Sequence, residues 1–170
     1  VAGAGEDAAA SGDLDITDDL VIHGNGATIE VTGNIDRVLD VFAGATLTLR
    51  DLTITGGSVT GTGGGVRNAG NVDATGVLFF NNTATGDGGG LYNSGTLTMT
   101  NTTVSGNTVT ADGSQGAGIT NTASGTVTLE SVTITDNDVA GASDARGRQV
   151  IDTGLAKPES LQTGDIDGDG

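Results

Sequence analysis

"GTGGGVRNAGNVDATGVLFFNN", residues 61–82, and "GDGGGLYNSGTLTMTNTTVSGN", residues 86–107, are nearly one phrase written twice. A third version, "SQGAGITNTASGTVTLESVTITDN", occupies residues 114–137. Each sets one aliphatic residue after a glycine run, then alternates apolar and polar residues, then closes on asparagine. Working outward from these phrases, equivalent glycines recur at Gly12, Gly44, Gly70, Gly95 and Gly125, in steps of 32, 26, 25 and 30 residues. A repeat of that length is one supersecondary unit that needs neighbours to bury its apolar side.

Three alternating segments fill each unit. The first reads "DLDIT", "ATLTL", "NVDAT", "TLTMT" and "TVTLE" along the chain. The second reads "DLVIHGN", "DLTITGG", "GVLFFNN", "TTVSGN" and "SVTITDN". The third reads "DRVLDVFAG", "GGGVRNAG", "GGGLYNSG", "GAGITNTASG" and, more weakly, "GRQVIDTG". Alternation with period two, bounded by Gly and Asn, is the pattern of half-buried strands. Thr, Val, Asn and Gly dominate and no apolar stripe recurs at three and four, so helix is disfavoured. Strands this short bury their inner faces only by stacking coil on coil in parallel. The expected fold is therefore all-β: a right-handed single-stranded parallel β-helix of about five coils with three short strands each. It spans residues 12–153, after an acidic, small-residue segment at 1–11 and before a polar tail at 154–170.

The alternation sets the inward positions. Leu47, Leu49, Val72, Ala74, Leu97, Met99, Val127 and Leu129 face in from the first segment. Leu52, Ile54, Val77, Phe79, Val104, Val132 and Ile134 face in from the second, with Thr102 a polar exception, and Val66, Leu91 and Ile119 from the third. The "GGG" runs are expected where coils pack closely and the backbone turns through positive φ. Asparagine aligns as well. Asn68, Asn93 and Asn121 follow the third-segment aliphatic by two, while Asn25, Asn82, Asn107 and Asn137 close the second segment, with Gly57 as the gap. Stacked carboxamides both donate and accept, so these columns read as structural ladders.

Composition narrows the function. The formal charge is −16 with six basic residues, which is unfavourable for nucleic acid or an anionic membrane surface. There is no cysteine, hence no disulfide framework or thiol nucleophile. No apolar run approaches the roughly 20 residues of a membrane span, so no membrane insertion is expected. The amino end lacks a signal-peptide pattern and the last residues, "DIDGDG", stop within a motif. Both ends are expected to be those of a fragment.

These phrases resemble the right-handed β-helix repeats of large bacterial surface proteins. "GDLDITDDLVIHGNGATI" followed by "DRVLDVFAGATLTLRDLTITGG" looks like the opening of β-helix regions that follow a CSLREA-type element. The glycine-aliphatic sites and "FFNN" are similar to the GGA[ILV] and FxxN repeats of the polymorphic outer-membrane protein family, the latter met at Phe79 to Asn82. The resemblance implies a β-helix on the cell surface or outside the cell, in an adhesin, passenger or stalk.

For catalysis the sequence offers little. Arg50 aligns with Thr75, Thr100 and Glu130, so it is expected to have no charged neighbour, and Asp73 stands between Thr48 and Thr98. Asp112 and Asp136 lie in different loops or corners. His23, the only histidine, aligns with Thr55 at an outward position. No enzymatic activity is expected. The outward Thr-x-Thr pairs resemble those of ice-binding β-helices but are interrupted by Asn71/Asp73 and by Leu78/Phe80. "DIDGDG" places Asp165, Asp167 and Asp169 at the 1, 3 and 5 spacing of a calcium loop, resembling dockerin or FG-GAP-type loops. Calcium is thus the one cofactor the sequence points to. Asn81 and Asn101 head the sequons "NNT" and "NTT", a pattern that Asn/Thr-rich sequence also produces by chance.

Two outward features remain. Arg67 and Tyr92 fall at equivalent positions of adjacent coils, where a guanidinium can stack on a ring. Leu78 and Phe80 point outward where other coils place threonine or serine, which marks them for cover by a loop or for contact with a partner. Together these features lead us to expect a non-catalytic extracellular or cell-surface β-helix module, structural or adhesive, that self-associates head to tail or laterally into filaments, or binds a host or cell-surface glycan or protein. The alternative is a β-helix that binds or cleaves carbohydrate.

Overall fold

In a computed structural model the described residues are 12–33 and 36–140. All regular structure in them is strand. The first, partial coil consists of β1 (Leu14–Ile16) and β2 (Leu20–Glu30). The second has β3 (Leu39–Val41), β4 (Thr46–Thr55) and β5 (Ser58–Val59). The third has β6 (Val66–Asn68), β7 (Asn71–Thr75), β8 (Leu78–Phe80) and β9 (Thr83–Ala84). The fourth repeats this with β10 (Leu91–Asn93), β11 (Thr96–Thr100), β12 (Thr103–Ser105) and β13 (Thr108–Val109). The fifth has β14 (Ile119–Asn121), β15 (Thr126–Glu130), β16 (Thr133–Thr135) and β17 (Asp138–Val139). Every strand pairs in parallel with its equivalent one coil away, giving sheets β1-β3-β6-β10-β14, β15-β11-β7-β4-β8-β12-β16 with β2 alongside β4, and β17-β13-β9-β5. The stack is the parallel β-helix that the alternation implies.

The coil has four short legs rather than three. The two-residue strands β5, β9, β13 and β17 form a face of their own, too short for periodicity to reveal. The first and second segments belong to one sheet, because β2 and β4 run unbroken through the bend between them. That bend is a column of left-handed residues: Asp51 (φ 51°), Gly76 (66°), Asn101 (49°) and Ser131 (54°). A second column, Gly56, Asn81, Gly106 and Asp136, turns the chain into the small face. Asn, Asp and Gly are the residues that adopt this conformation at least cost.

The first coil departs from the glycine alignment. "LDI" of β1 pairs with "LDV" of β3, Leu14 with Leu39 and Asp15 with Asp40, rather than with "TLTLR". "LVIH" then pairs with "LTLR", so His23 stands beside Arg50 and not beside Thr55. A bulge between His23 and Ala27 holds Asn25, at φ 50°, outside the asparagine columns. Five-residue alternations are interchangeable by pattern alone, and the "NG" bulge fixes which one pairs with which.

The interior is a main apolar column with a smaller cluster, Ala84, Val109 and Ala117, beside it. Leu39, Leu47, Leu49, Ile54, Val66, Phe79, Leu91, Leu97, Met99 and Val104 are fully buried, and Thr102 is buried among them, its hydroxyl donating to the Thr100 carbonyl at 3.0 Å. In the fifth coil the inward register continues, Met99 pairing with Leu129, but Leu129 is 38% exposed and Val127, Val132 and Ile134 are only half-buried. Among the described residues no sixth coil lies on them; the "GRQVIDTG" segment falls outside the described residues.

The glycine runs serve both expected purposes. Gly63, Gly88 and Gly116 open them with φ of 71°, 71° and 60°. A Cβ on Gly65 would lie 2.5 Å from the Gly90 carbonyl oxygen, and one on Gly90 would lie 2.5 Å from that of Gly118. Alanine there would wedge adjacent coils apart.

Two asparagine ladders run beside the core. In one, Asn68 Nδ2 donates to Asn93 Oδ1 at 2.7 Å and Asn93 Nδ2 donates to Asn121 Oδ1 at 2.7 Å. In the other, Gly57 N donates to Asn82 Oδ1, Asn82 Nδ2 to Asn107 Oδ1 at 3.0 Å, and Asn107 Nδ2 to Asn137 Oδ1 at 2.8 Å. Each ladder amide also reaches a main-chain carbonyl, so the buried polar atoms are satisfied as low-dielectric surroundings require.

Candidate functional site

The widest outward surface belongs to the long sheet. Its columns read Val21–Thr48–Asp73–Thr98–Thr128, His23–Arg50–Thr75–Thr100–Glu130, Thr53–Leu78–Thr103–Thr133 and Thr55–Phe80–Ser105–Thr135. Strand alternation and threonine's β propensity account for the hydroxyl rows. Leu78 and Phe80 interrupt them side by side; Phe80 is 39% exposed and Leu78 half-buried.

Arg50 does have a charged neighbour. Its guanidinium reaches diagonally to Asp73 on the next coil, with NH1 to Oδ1 at 3.1 Å and NH2 to Oδ2 at 2.8 Å, and NH1 also donates to Thr75 Oγ1. The in-line partner of Arg50 is Thr75, but a long side chain spans the diagonal spacing of a sheet easily. The hydrogen bond from Arg50 holds the Asp73 carboxyl below its ordinary pKa, and the same bond raises Arg50.

A second charged group sits on the sheet led by β1. Its outward column is Asp15–Asp40–Arg67–Tyr92–Thr120. Tyr92 is in register with Arg67, as the repeats imply, but the guanidinium is committed to Asp40 on its other side, with Nε to Oδ1 at 2.8 Å and NH2 to Oδ2 at 2.5 Å. A buried carboxylate offers a guanidinium more than a half-buried ring does, and the expected Arg67–Tyr92 stack gives way to it. Arg37 adds a bridge, its NH1 donating to Asp13 Oδ2 at 2.9 Å and to Asp40 Oδ2 at 3.1 Å. Asp40 is 3% exposed, and its carboxylate oxygens accept from both guanidinia, as a buried polar group requires. Burial, and then the nearby Asp36, push the Asp13 carboxyl above its ordinary pKa against the pull of Arg37.

This cluster is the feature that the glycine alignment missed. With β1 shifted onto β4 in that alignment, Asp15 and Asp40 never met. The signal was present in the two matching triplets, "LDI" and "LDV". Carboxylate oxygens of Asp13, Asp15 and Asp40 lie within 4.8 Å of one another, the spacing at which a cation is held. Asp13 and Asp40 already bind Arg37 and Arg67, so two of the three carboxylates are paired with arginine within the protein. Chemically the cluster ties the first coils together.

The remaining sequence candidates are dispersed. His23 is exposed beside Arg50. Asp112 and Asp136 are exposed at separate places. Asp165, Asp167 and Asp169 of the calcium-type loop lie outside the described residues. No helix among the described residues is long and apolar enough to cross a membrane.

A model of the right-handed β-helix region matches residues 3–153. The chain belongs to that family. Comparison with curated proteins and with solved structures gives no match.

Proposed function

We propose that this chain is a non-catalytic structural or adhesive β-helix module of the cell exterior, one that associates with further copies of itself. The observation that carries the reading is the long outward face. Arg50 and Asp73 on it are bound to each other, and Leu78 with Phe80 forms an apolar step among Thr and Ser neighbours. On the other sheet Asp13 and Asp40 are likewise held by arginine. Hydrolytic carboxylate pairs need one group free to donate a proton and another free to attack or activate water. What such a face offers instead is contact area on a rigid support. A hydroxyl-rich surface with one apolar step suits lateral packing against a like surface, and the acidic balance keeps the dispersed protein soluble.

Sedimentation of the full chain over a wide concentration range tests this, with a Leu78→Ser/Phe80→Thr variant alongside. Assembly of the wild type that the variant loses supports the lateral face. A wild type that stays monomeric at high concentration refutes self-association, and an assembly unchanged in the variant refutes that face. Release of reducing ends from a polysaccharide panel would replace the non-catalytic reading with the carbohydrate-cleaving one.

A further inference from the structure

Asparagine in the repeats is mostly an interior residue. Asn68, Asn82, Asn93, Asn107, Asn121 and Asn137 are buried, and each commits its carboxamide to a ladder. Asn81 and Asn101 differ in every respect. Both are exposed, both hold the left-handed conformation at a bend, with φ of 52° and 49°, and among the described residues neither carboxamide joins a ladder. They are also the two that begin Asn-X-Thr triplets, Asn81–Asn82–Thr83 and Asn101–Thr102–Thr103. We propose that Asn81 and Asn101 are acceptor sites for N-linked glycans.

The coil geometry leaves room for the modification. Along its column Asn81 is flanked by Gly56 and Gly106, since Phe80 pairs with Thr55 and Ser105. Asn101 is flanked by Gly76 and Ser131, since Thr100 pairs with Thr75 and Glu130. No side chain larger than serine therefore stands next to either acceptor in its own column, although the coils lie only about 4.8 Å apart. Beside Asn81 there is also an apolar wall. A Cβ placed on Gly106 would sit 2.7 Å from Asn81 Oδ1 and 3.1 Å from Phe80 Cε2, so the carboxamide and the ring share the space over that glycine. The ring offers the apolar face of a first sugar something to lie against, so a glycan on Asn81 and lateral packing of a second copy compete for Phe80. The Thr83 and Thr103 hydroxyls required by the triplet belong to outward, half-buried residues.

In the transfer, Nδ2 forms a bond to the anomeric carbon of a sugar and loses one proton. The bond from that carbon to the diphosphate of a lipid-linked glycosyl donor breaks, and the diphosphate leaves with the electron pair. The buried asparagines cannot serve. A glycan on Asn107 would break the bonds to Asn82 and Asn137 on both sides and force a polar chain through the core.

The proposal rests on the cell-exterior reading, but its test does not depend on where the native chain resides or on whether it assembles. The full chain is produced through the secretory pathway of a glycosylating eukaryotic host, and cells and medium are both analysed by intact mass before and after peptide-N-glycosidase. Asn81→Gly and Asn101→Gly are the informative variants, because glycine already occupies both bends in neighbouring coils and the backbone is kept. Two glycans on the wild type, one on each single variant and none on the double variant are expected, with the same β-sheet spectrum before and after deglycosylation. Absence of glycan at both positions overturns the proposal. So does a spectrum that recovers only when the glycans are removed. Val109→Thr creates a third triplet at buried Asn107; occupancy there in folded protein would overturn the argument from burial.

Discussion

Asn107→Ala tests the ladder at its centre. The carboxamide oxygen accepts from Asn82 N and Asn82 Nδ2, both at 3.0 Å, while the amide donates to Asn137 Oδ1, to the Phe79 carbonyl and to the Ser105 carbonyl. Some partners have a second bond. Asn82 Nδ2 still reaches the Ile54 carbonyl, Asn137 Oδ1 still accepts from Asn107 N, and the Ser105 carbonyl still accepts from Asn81 N. The Asn82 N–H loses its acceptor and is buried, which costs about 1–3 kcal/mol, and the other lost bonds cost about 1 kcal/mol apiece. The sum is about 5–7 kcal/mol. At about 2–4 °C per kcal/mol for a chain of this size, the thermal midpoint should fall by roughly 10–28 °C. Circular dichroism and urea denaturation with more than one probe measure it, since repeat stacks can unfold coil by coil. Asn101→Gly is the surface control and should stay within about 0.5 kcal/mol. A loss below 1 kcal/mol in Asn107→Ala would refute the ladder as a source of stability. Asn107→Asp adds a sign. Burial raises the carboxyl pKa in the folded state, so its favourable contribution is full below the unfolded value of about 3.9 and is lost as pH rises through the folded value. This variant should therefore gain on Asn107→Ala in acid.

Leu97→Ala should cost about 2–5 kcal/mol as a core cavity, whereas Leu129→Ala in the fifth coil should cost well under half of that; equal losses would contradict the difference in burial. Thr102→Val should be within about 1 kcal/mol of the wild type by urea denaturation, because the Thr100 carbonyl keeps its bond from Gly76 N and the site is otherwise apolar. The two perturbed carboxyls should act in opposite directions with pH. Asp73, lowered by Arg50, stabilises above its unfolded pKa and loses that contribution as pH falls through its folded value, weakly because it is half-exposed. Asp13, raised by burial, contributes most below its unfolded pKa and loses this as pH rises through its folded value. Asp13→Asn should remove that second dependence in a stability-versus-pH series, and an unchanged profile would contradict the assignment.

The stack was legible because its signal is repeated: Leu97 and Met99 recur in register with Val72 and Ala74, and one coil corrects the reading of the next. The ladder positions of Asn68, Asn93 and Asn121 were visible for the same reason. What escaped the sequence lies where repetition fails. The legs at Ser58–Val59 and Thr83–Ala84 are two residues long, below any period. The first coil offers two interchangeable alternations, so the Asp15–Asp40 pairing and the place of His23 were lost together. Arg50 and Asp73 were each read along columns, and their bond runs between columns. Electrostatic pairing follows reach, which a one-dimensional alignment does not record.

The ladders also limit how such a chain can change length. Asn68 and Asn93 are 25 residues apart, as are Asn82 and Asn107, while the next steps are 28 and 30. The surplus is housed in the loop at 110–118 and the turn at 122–125, outside every strand. A duplication or loss of one whole coil therefore finds every amide and aliphatic side chain a matching neighbour. A one-residue slip within a strand turns that strand inside out. The amide-to-amide bonds, moreover, all run from an earlier coil to a later one, so a new unit fits only in the same orientation. Such a gene is free to lengthen or shorten by duplication in units of one coil, while small insertions are confined to loops, turns and bulges such as the one in β2.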